Sequence, residues 1–358
     1  MSRKLYVVST QNDAGKSLLC AGLIRRFRVD GRAVGYFKPV GTEAAPAGPV
    51  DVDEDAVFFR GLFDLPDALE DLSPVLLDGR RVERILAGEV LDGAGRVRAA
   101  GERVARGRDL VVAEGGGSLR EGWVADLSPV QVAELLEARV LAVVPYLSEL
   151  QVVDDLVTAR VRFGPSLAGA VVNRVPGHRR PLVAERMRPF LAERGIRLFA
   201  VLPRDRLLQA VSVGEILEGL GGRVLCARDH MDALVEHLMV GAMSAESALA
   251  YFRRRPNKAV ITGGDRPDIQ LAAIETSTRC LVLTGNLHPP APILGKAEQA
   301  GIPILLTPHD TLTAVEIIES FFGKGRWHQA EKVQRMEELL AGELDFDALA
   351  AALEPGGA

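Results

Sequence analysis

Six short apolar runs, separated by stretches of helical periodicity, constrain this chain more than any other feature. They are "LYVV" (Leu5 to Val8), "VGYF" (Val34 to Phe37), "DLVVAE" (Asp109 to Glu114), "RVLAVV" (Arg139 to Val144), "LAGAVVN" (Leu167 to Asn173) and "RLFAVLP" (Arg197 to Pro203). Strands that are apolar on both faces belong to a parallel sheet covered by helices on both sides, so a doubly wound α/β fold is expected. A Gly-rich break, "LEGLGG" (Leu217 to Gly222), closes this region. A smaller α/β pattern follows, with strands expected at Lys258 to Thr262, Arg279 to Gly285 and Ile302 to Thr307, and a helix over Asp268 to Ser277. The last stretch reads as a helix pair with a Gly-rich end. The expected domains are 1–215, 216–325 and a helical tail over 326–358.

A chain of 358 residues with 47% hydrophobic content can fill two cores of this kind. Its formal net charge of −5 offers no global basic field for nucleic acid or anionic lipid. Local clusters at Arg25 to Arg28 and Arg253 to Arg255 fall near expected helix ends, where cations suit the helix dipole. Cys20, Cys226 and Cys280 are far apart, with no zinc or disulfide spacing. No run approaches the roughly 20 apolar residues of a membrane span. A cytoplasmic protein is expected.

Chemistry is concentrated in "VVSTQNDAGKSLLCAGLI" (Val7 to Ile24), a strand that empties through a small polar loop into a helix. Unpaired N–H groups and the helix dipole converge at such a turn and favour an anion. Gly15 lets the backbone approach a phosphate, Lys16 supplies a point charge, and Ser17 offers a hydroxyl of the kind that holds Mg²⁺. Thr10 stands where the first glycine of the P-loop pattern belongs, and a β-branched residue there opposes positive φ. Lys38 and Thr42, in "FKPVGT", follow the second strand at the edge where open α/β sheets bind ligands. Glu114 ends a buried strand just before Gly115, Gly116 and Gly117, and an acid there can hold a nucleotide's metal. Asp53 and Asp55 are further metal candidates. Taken singly, these are a surface lysine, an acidic turn and a glycine loop; their shared position after successive strands marks them as one site.

In this order, S-T-x-x-x-A-G-K-S, F-K-P-V-G-T, D-E-D-A, V-V-A-E-G-G-G, V-V-N-R and V-L-P-R-D resemble the dethiobiotin synthetase-like P-loop proteins, over about residues 1–215. That family carries threonine at the first P-loop glycine, so the resemblance accounts for Thr10. It implies ATP and Mg²⁺ as cofactors. Thr10, Asn12, Ala14, Gly15, Lys16, Ser17 and Leu18 would surround the phosphates, and Lys16 and Lys38 would be the catalytic lysines. Ser17, Asp55 and Glu114 would hold the metal. Asn173, Pro203 and Asp205 would meet the adenine base, and Lys38, Thr42, Gly115 and Gly116 would face a substrate. It also implies a homodimer. Two departures matter. Gln11 stands where ParA-like ATPases carry an extra lysine, and "GGGSLREGWVADLS" replaces the synthetase's aromatic substrate segment.

"VITGGDRPDIQLAAIE" (Val260 to Glu275), with "CLVLTGN" and "GIPILLTPHDT", resembles the DRTGG domain over about residues 216–325. Such domains stand beside dethiobiotin synthetase-like domains at the N-terminus of long phosphate acetyltransferases. An acetyltransferase domain of about 300 residues would not fit in this chain, so the accessory half alone is expected. Asp265 and Asp268 suit helix caps. Alternatively, Thr262, Gly263, Gly264, Asp265 and Arg266 form a small-ligand pocket, with Asn286 and His309 nearby. Two functions remain open: a nucleotide-dependent regulatory or accessory ATPase, and an enzyme that phosphorylates a carboxylate or carbamate. A cobyrinate amidotransferase relative is set aside, because no cysteine occupies a glycine-flanked nucleophile elbow.

Overall fold

The computed structural model describes residues 2–45, 52–323, 325 and 327–354. It divides into two compact units: Met1–Arg204 with His328–Ala358, and Asp205–Trp327. The second unit is therefore an insertion in the chain of the first.

In the first unit, β1 (Arg3–Ser9), β2 (Val34–Phe37), β3 (Leu110–Glu114), β4 (Arg139–Pro145), β5 (Leu167–Val175) and β6 (Leu198–Pro203) form a sheet in the order β6-β5-β4-β1-β3-β2. Every adjacent pair is parallel. All six expected strands are present. The chain steps outward from β1 to β2, returns to β3 and then crosses to β4, so the topological switch point lies at β1. Ligands of open α/β sheets bind beyond the carboxyl ends at such a point. Val7 on β1 is level with Glu114 on β3, which aligns the P-loop and the acid at that edge.

Helix α1 (Lys16–Val29) starts at Gly15, whose φ of +86° is open to glycine and strained for other residues. Asp13, at φ +54°, makes the other left-handed step of the loop. Thr10 is not among the positive-φ residues, so the threonine is compatible with this loop. The C-terminal helices α4 (Ala330–Glu343) and α5 (Phe346–Ala352) belong to this unit and lie against α1. Gly22 permits the approach: a Cβ there would stand 2.5 Å from Leu340 Cδ1. Arg25 pairs with Glu337 at 3.2 Å, and Phe27 meets Phe346 edge-on at 5.8 Å between centroids. The Gly-rich end of the tail lies outside the described residues.

In the second unit, β7 (Arg223–Cys226), β8 (His237–Val240), β9 (Lys258–Gly263), β10 (Thr278–Thr284) and β11 (Ile304–Leu306) are ordered β7-β11-β10-β9-β8, with β7 antiparallel. The three central strands were legible in the sequence. The outer two, β7 and β8, were not: each is four residues long, β7 buries only Cys226 fully and β8 is half-buried throughout. Alternation along the strands separates two cores. Val260, Leu281, Leu283 and Ile304 pack on one face; Ala259, Ile261, Cys280, Val282 and Leu305 pack on the other.

Lys258 is wholly enclosed in this unit, its Nζ donating to Thr276 Oγ1 at 2.9 Å and lying 5.7 Å from the Phe252 ring centroid. Burial pushes its pKa down from 10.5 to about 8. Below pH 8 both folded and unfolded chains hold the proton, so the folded state bears the full cost of the buried charge. Between pH 8 and 10.5 the unfolded chain binds more protons, and stability rises with pH. Lys258→Met should therefore raise the melting temperature at pH 7, with the gain fading as the pH approaches 10.5. Melting curves at both pH values check this.

Candidate nucleotide site

The P-loop backbone is fastened from three sides. Thr10 Oγ1 and Gln11 Nε2 both donate, at 2.9 and 3.0 Å, to Oδ2 of Asp155 on helix α3 (Glu149–Phe163). Asn173 Nδ2 donates to Ala14 O at 2.8 Å, and a Cβ at Gly15 would stand 2.7 Å from that same nitrogen. The Asn12 amide nitrogen donates to Gly117 O and Glu121 Oε1, both at 3.2 Å. Ala14 and Leu18 are buried beneath the turn. Gly15→Ala should accordingly cost about 1–2 kcal/mol through its positive φ alone. It should also displace Asn173, which a lower melting temperature and weaker nucleotide binding would register together.

Lys16 is buried, its Nζ donating to Ser9 Oγ at 2.8 Å and Gly117 O at 3.3 Å. Both acceptors are neutral. Burial lowers its pKa from the usual lysine value, with Glu114 opposing. The first turn of α1 contains no acidic residue and its N-cap has no side-chain hydrogen bond. A buried ammonium beside an uncapped helix N-terminus has the charge and the free N–H groups that suit an anion.

Next to it lies a carboxylate cluster. Ser17 Oγ donates to Glu114 Oε1 at 2.7 Å, and the Tyr36 hydroxyl donates to Glu114 Oε2 at 2.9 Å. Lys38 Nζ stands 2.5 Å from Asp55 Oδ2, 3.1 Å from Glu114 Oε1 and 3.7 Å from Asp53 Oδ1. Burial works to lower the Lys38 pKa, but the three carboxylates outweigh it and hold the ammonium well above its usual range. Burial likewise raises Glu114. At Asp55 burial is outweighed by Lys38 and His328, which keep that carboxyl below its ordinary range. His328 Nε2 lies 3.3 Å from Asp55 Oδ1, and its ring stands 4.6 Å from that of Phe58.

The structure thus brings Lys16, Ser17, Lys38, Asp55 and Glu114 together. Asp53 has a different job: it caps α2 (Glu54–Phe63) by accepting from Asp55 N at 3.0 Å, and it also accepts from Thr42 N at 2.9 Å. Thr42 itself is exposed. Gly115 N donates to Val7 O at 2.9 Å, and Glu121 closes the glycine loop by accepting from Gly117 N at 2.6 Å. Pro203 ends β6, whereas Asp205 opens the second unit and caps a short helix by accepting from Leu208 N at 3.2 Å. Tyr36, Glu121, Asp155 and His328 were missed from sequence, and Ser9 entered only as the first letter of the loop motif, with no role assigned. Tyr36 did carry a signal, as a phenol inside an otherwise apolar strand.

In the second unit, Gln270 Nε2 donates to Gly263 O and Gly264 O at 2.9 and 3.1 Å, tying the turn to the following helix. Gly264 is packed so closely that a Cβ would fall 1.7 Å from Leu287 O. Thr262 is buried and donates to Gly241 O at 3.4 Å. The capping expected of Asp265 and Asp268 is not found. The helix Pro267–Ile274 has Arg266 at its N-cap without a side-chain hydrogen bond. Asp268 instead forms a two-pronged pair with Arg266, at 3.0 and 3.1 Å. A planar guanidinium with a carboxylate two residues away outcompetes the cap. Asp310 does cap its helix, accepting from Thr313 N at 2.9 Å.

Among the described residues no three or more His, Cys, Asp or Glu side chains form a metal-binding group. No helix there is long and apolar enough to cross a membrane. Residues 3–212 match the AAA domain family model, and residues 215–321 match the DRTGG domain model. The phosphate acetyltransferases of Synechocystis sp. and Pseudomonas aeruginosa are each 26% identical, over 89% and 96% of this chain and 47% and 51% of their own. The ATP-dependent dethiobiotin synthetase of Caldicellulosiruptor saccharolyticus is 27% identical over 33% of this chain and 49% of its own. The chain spans about half the length of these phosphate acetyltransferases. With its P-loop, its parallel sheet and a family match over more than half its length, the chain belongs to the AAA domain family of P-loop proteins, joined to a DRTGG domain.

Proposed function

We propose that this chain is a MgATP-binding regulatory or accessory ATPase linked to acyl-phosphate or cofactor metabolism. The observation that carries this reading is Lys16: a buried ammonium with neutral partners, at an uncapped helix N-terminus. Thr10, Asn12, Ala14, Gly15, Ser17 and Leu18 frame the phosphates, and Asn173 and Pro203 take the base side. Ser17, Asp55 and Glu114 fit Mg²⁺, because they offer hard oxygens in a pocket that already holds a cation, the Lys38 ammonium. When bound, Mg²⁺ neutralises charge on the outer phosphates. Lys16 holds the phosphates, Lys38 balances the acids, and the glycine loop keeps the backbone close.

Glu121 favours regulation over acid activation. Its carboxylate lies over Gly116 and Gly117, where it would repel a carboxylate or carbamate substrate. The second reading, dethiobiotin synthetase-like phosphorylation of such a group, draws on Lys38 and Thr42 at the substrate edge. A homodimer and a cytoplasmic location belong to the proposal through the resemblance to the synthetase. The turn Thr262, Gly263, Gly264, Asp265 and Arg266 is proposed as a small-ligand site by which the second unit answers metabolic state. Mg²⁺-dependent ADP release from ATP separates the readings. Tight binding with little ADP supports a regulatory role. Rapid turnover that Lys38→Ala abolishes while the variant still melts above the assay temperature supports the activating enzyme.

A further inference from the structure

His328 lies outside both matched segments, 3–212 and 215–321, and is the first residue of the chain on its return from the inserted unit. Return at this point delivers an imidazole to Asp55. From the structure we infer that His328 is a positioning residue of the nucleotide site, orienting Asp55 for the nucleotide's Mg²⁺; the inference rests on the MgATP reading above.

The two oxygens of Asp55 meet different partners. Oδ1 accepts from His328 Nε2 at 3.3 Å, while Oδ2 faces Lys38 at 2.5 Å. An ionised carboxylate only accepts, so Nε2 is the donor. Lys38 also reaches Glu114, whose Oε1 accepts from Ser17, so Oδ2 is the oxygen that points toward the rest of the metal set. With Oδ1 held by the imidazole, the carboxylate plane is fixed and Oδ2 is kept aimed at the cation position. Phe58 fixes the imidazole in turn, its ring tilted 36° against it. The segment is secured behind His328, because α4 packs on the P-loop helix through Leu340 at Gly22 and through Glu337 at Arg25. One continuous segment therefore touches both the helix that carries Lys16 and the acid proposed for the metal. Outer partners of this kind typically tune metal affinity by 10- to 100-fold.

The test measures ATP affinity by calorimetry across a Mg²⁺ series and in EDTA, for the full-length wild type, His328→Ala and His328→Gln. Alanine should raise the half-saturating Mg²⁺ by roughly tenfold, with affinity in EDTA unchanged. Glutamine, which restores a donor near the Nε2 position, should recover most of the loss. His328→Leu fills the volume without donating and replaces alanine if that variant fails to fold, with the same expectations. An unchanged Mg²⁺ series in the alanine or leucine variant overturns the inference. So does an equal loss with and without Mg²⁺, which is a structural effect alone. A wild type whose ATP affinity ignores Mg²⁺ would instead remove the MgATP reading, and this inference with it.

Discussion

Lys16→Ala is expected to abolish ATP binding, weakening it by at least a hundredfold, while leaving the fold intact. The side chain sits at the start of α1 with Ser9 Oγ and Gly117 O as its acceptors, so truncation breaks no carboxylate pair. Removing a buried charge that burial already disfavours relieves a cost to the empty protein. The loss therefore falls on the bound state, where a charge-assisted contact to phosphate in a low-dielectric setting disappears. Two measurements on one sample check both halves: a melting temperature at or above that of the wild type, and no saturable ATP signal.

Lys38→Ala should do the opposite, with stability as its main readout. Lys38 is the shared counter-charge for Asp55 and Glu114, and Asp53 lies 3.7 Å away. Removing one partner of a buried ionic cluster leaves uncompensated charge, which typically costs about 3–5 kcal/mol. A divalent cation can take over the neutralisation that the ammonium provided. Added Mg²⁺ should thus raise the melting temperature of the variant clearly more than that of the wild type. A variant that melts like the wild type, with no Mg²⁺ effect, would show that the cluster is not held by Lys38.

The parallel sheet and the centre of the site were legible because both follow from local chemistry. Each strand of the first unit is a both-faced apolar run, and Lys16, Lys38 and Glu114 each follow or end one. What escaped notice depends on contacts far apart in sequence. Asp155 is one of two adjacent acids on a helix, and only packing shows that this one meets Thr10. Glu121 becomes part of the loop through a turn that returns it to Gly117. His328 reaches Asp55 only because the chain comes back after an entire inserted unit. Asp268 looked like a cap because of its position, but Arg266 beside it was the stronger partner. The short strands β7 and β8 offer no fully buried run, because their residues are mostly half-buried, unlike β2 and β6, which also lie at a sheet edge.

MgATP at the turn from β1 to α1 is the proposal on which the rest depends. Calorimetric titration of the wild-type chain with ATP in Mg²⁺, with ADP followed in the same sample, tests it most directly. Saturable binding of one nucleotide per chain is expected, with ADP appearing slowly. No heat of binding and no ADP at millimolar ATP would contradict it.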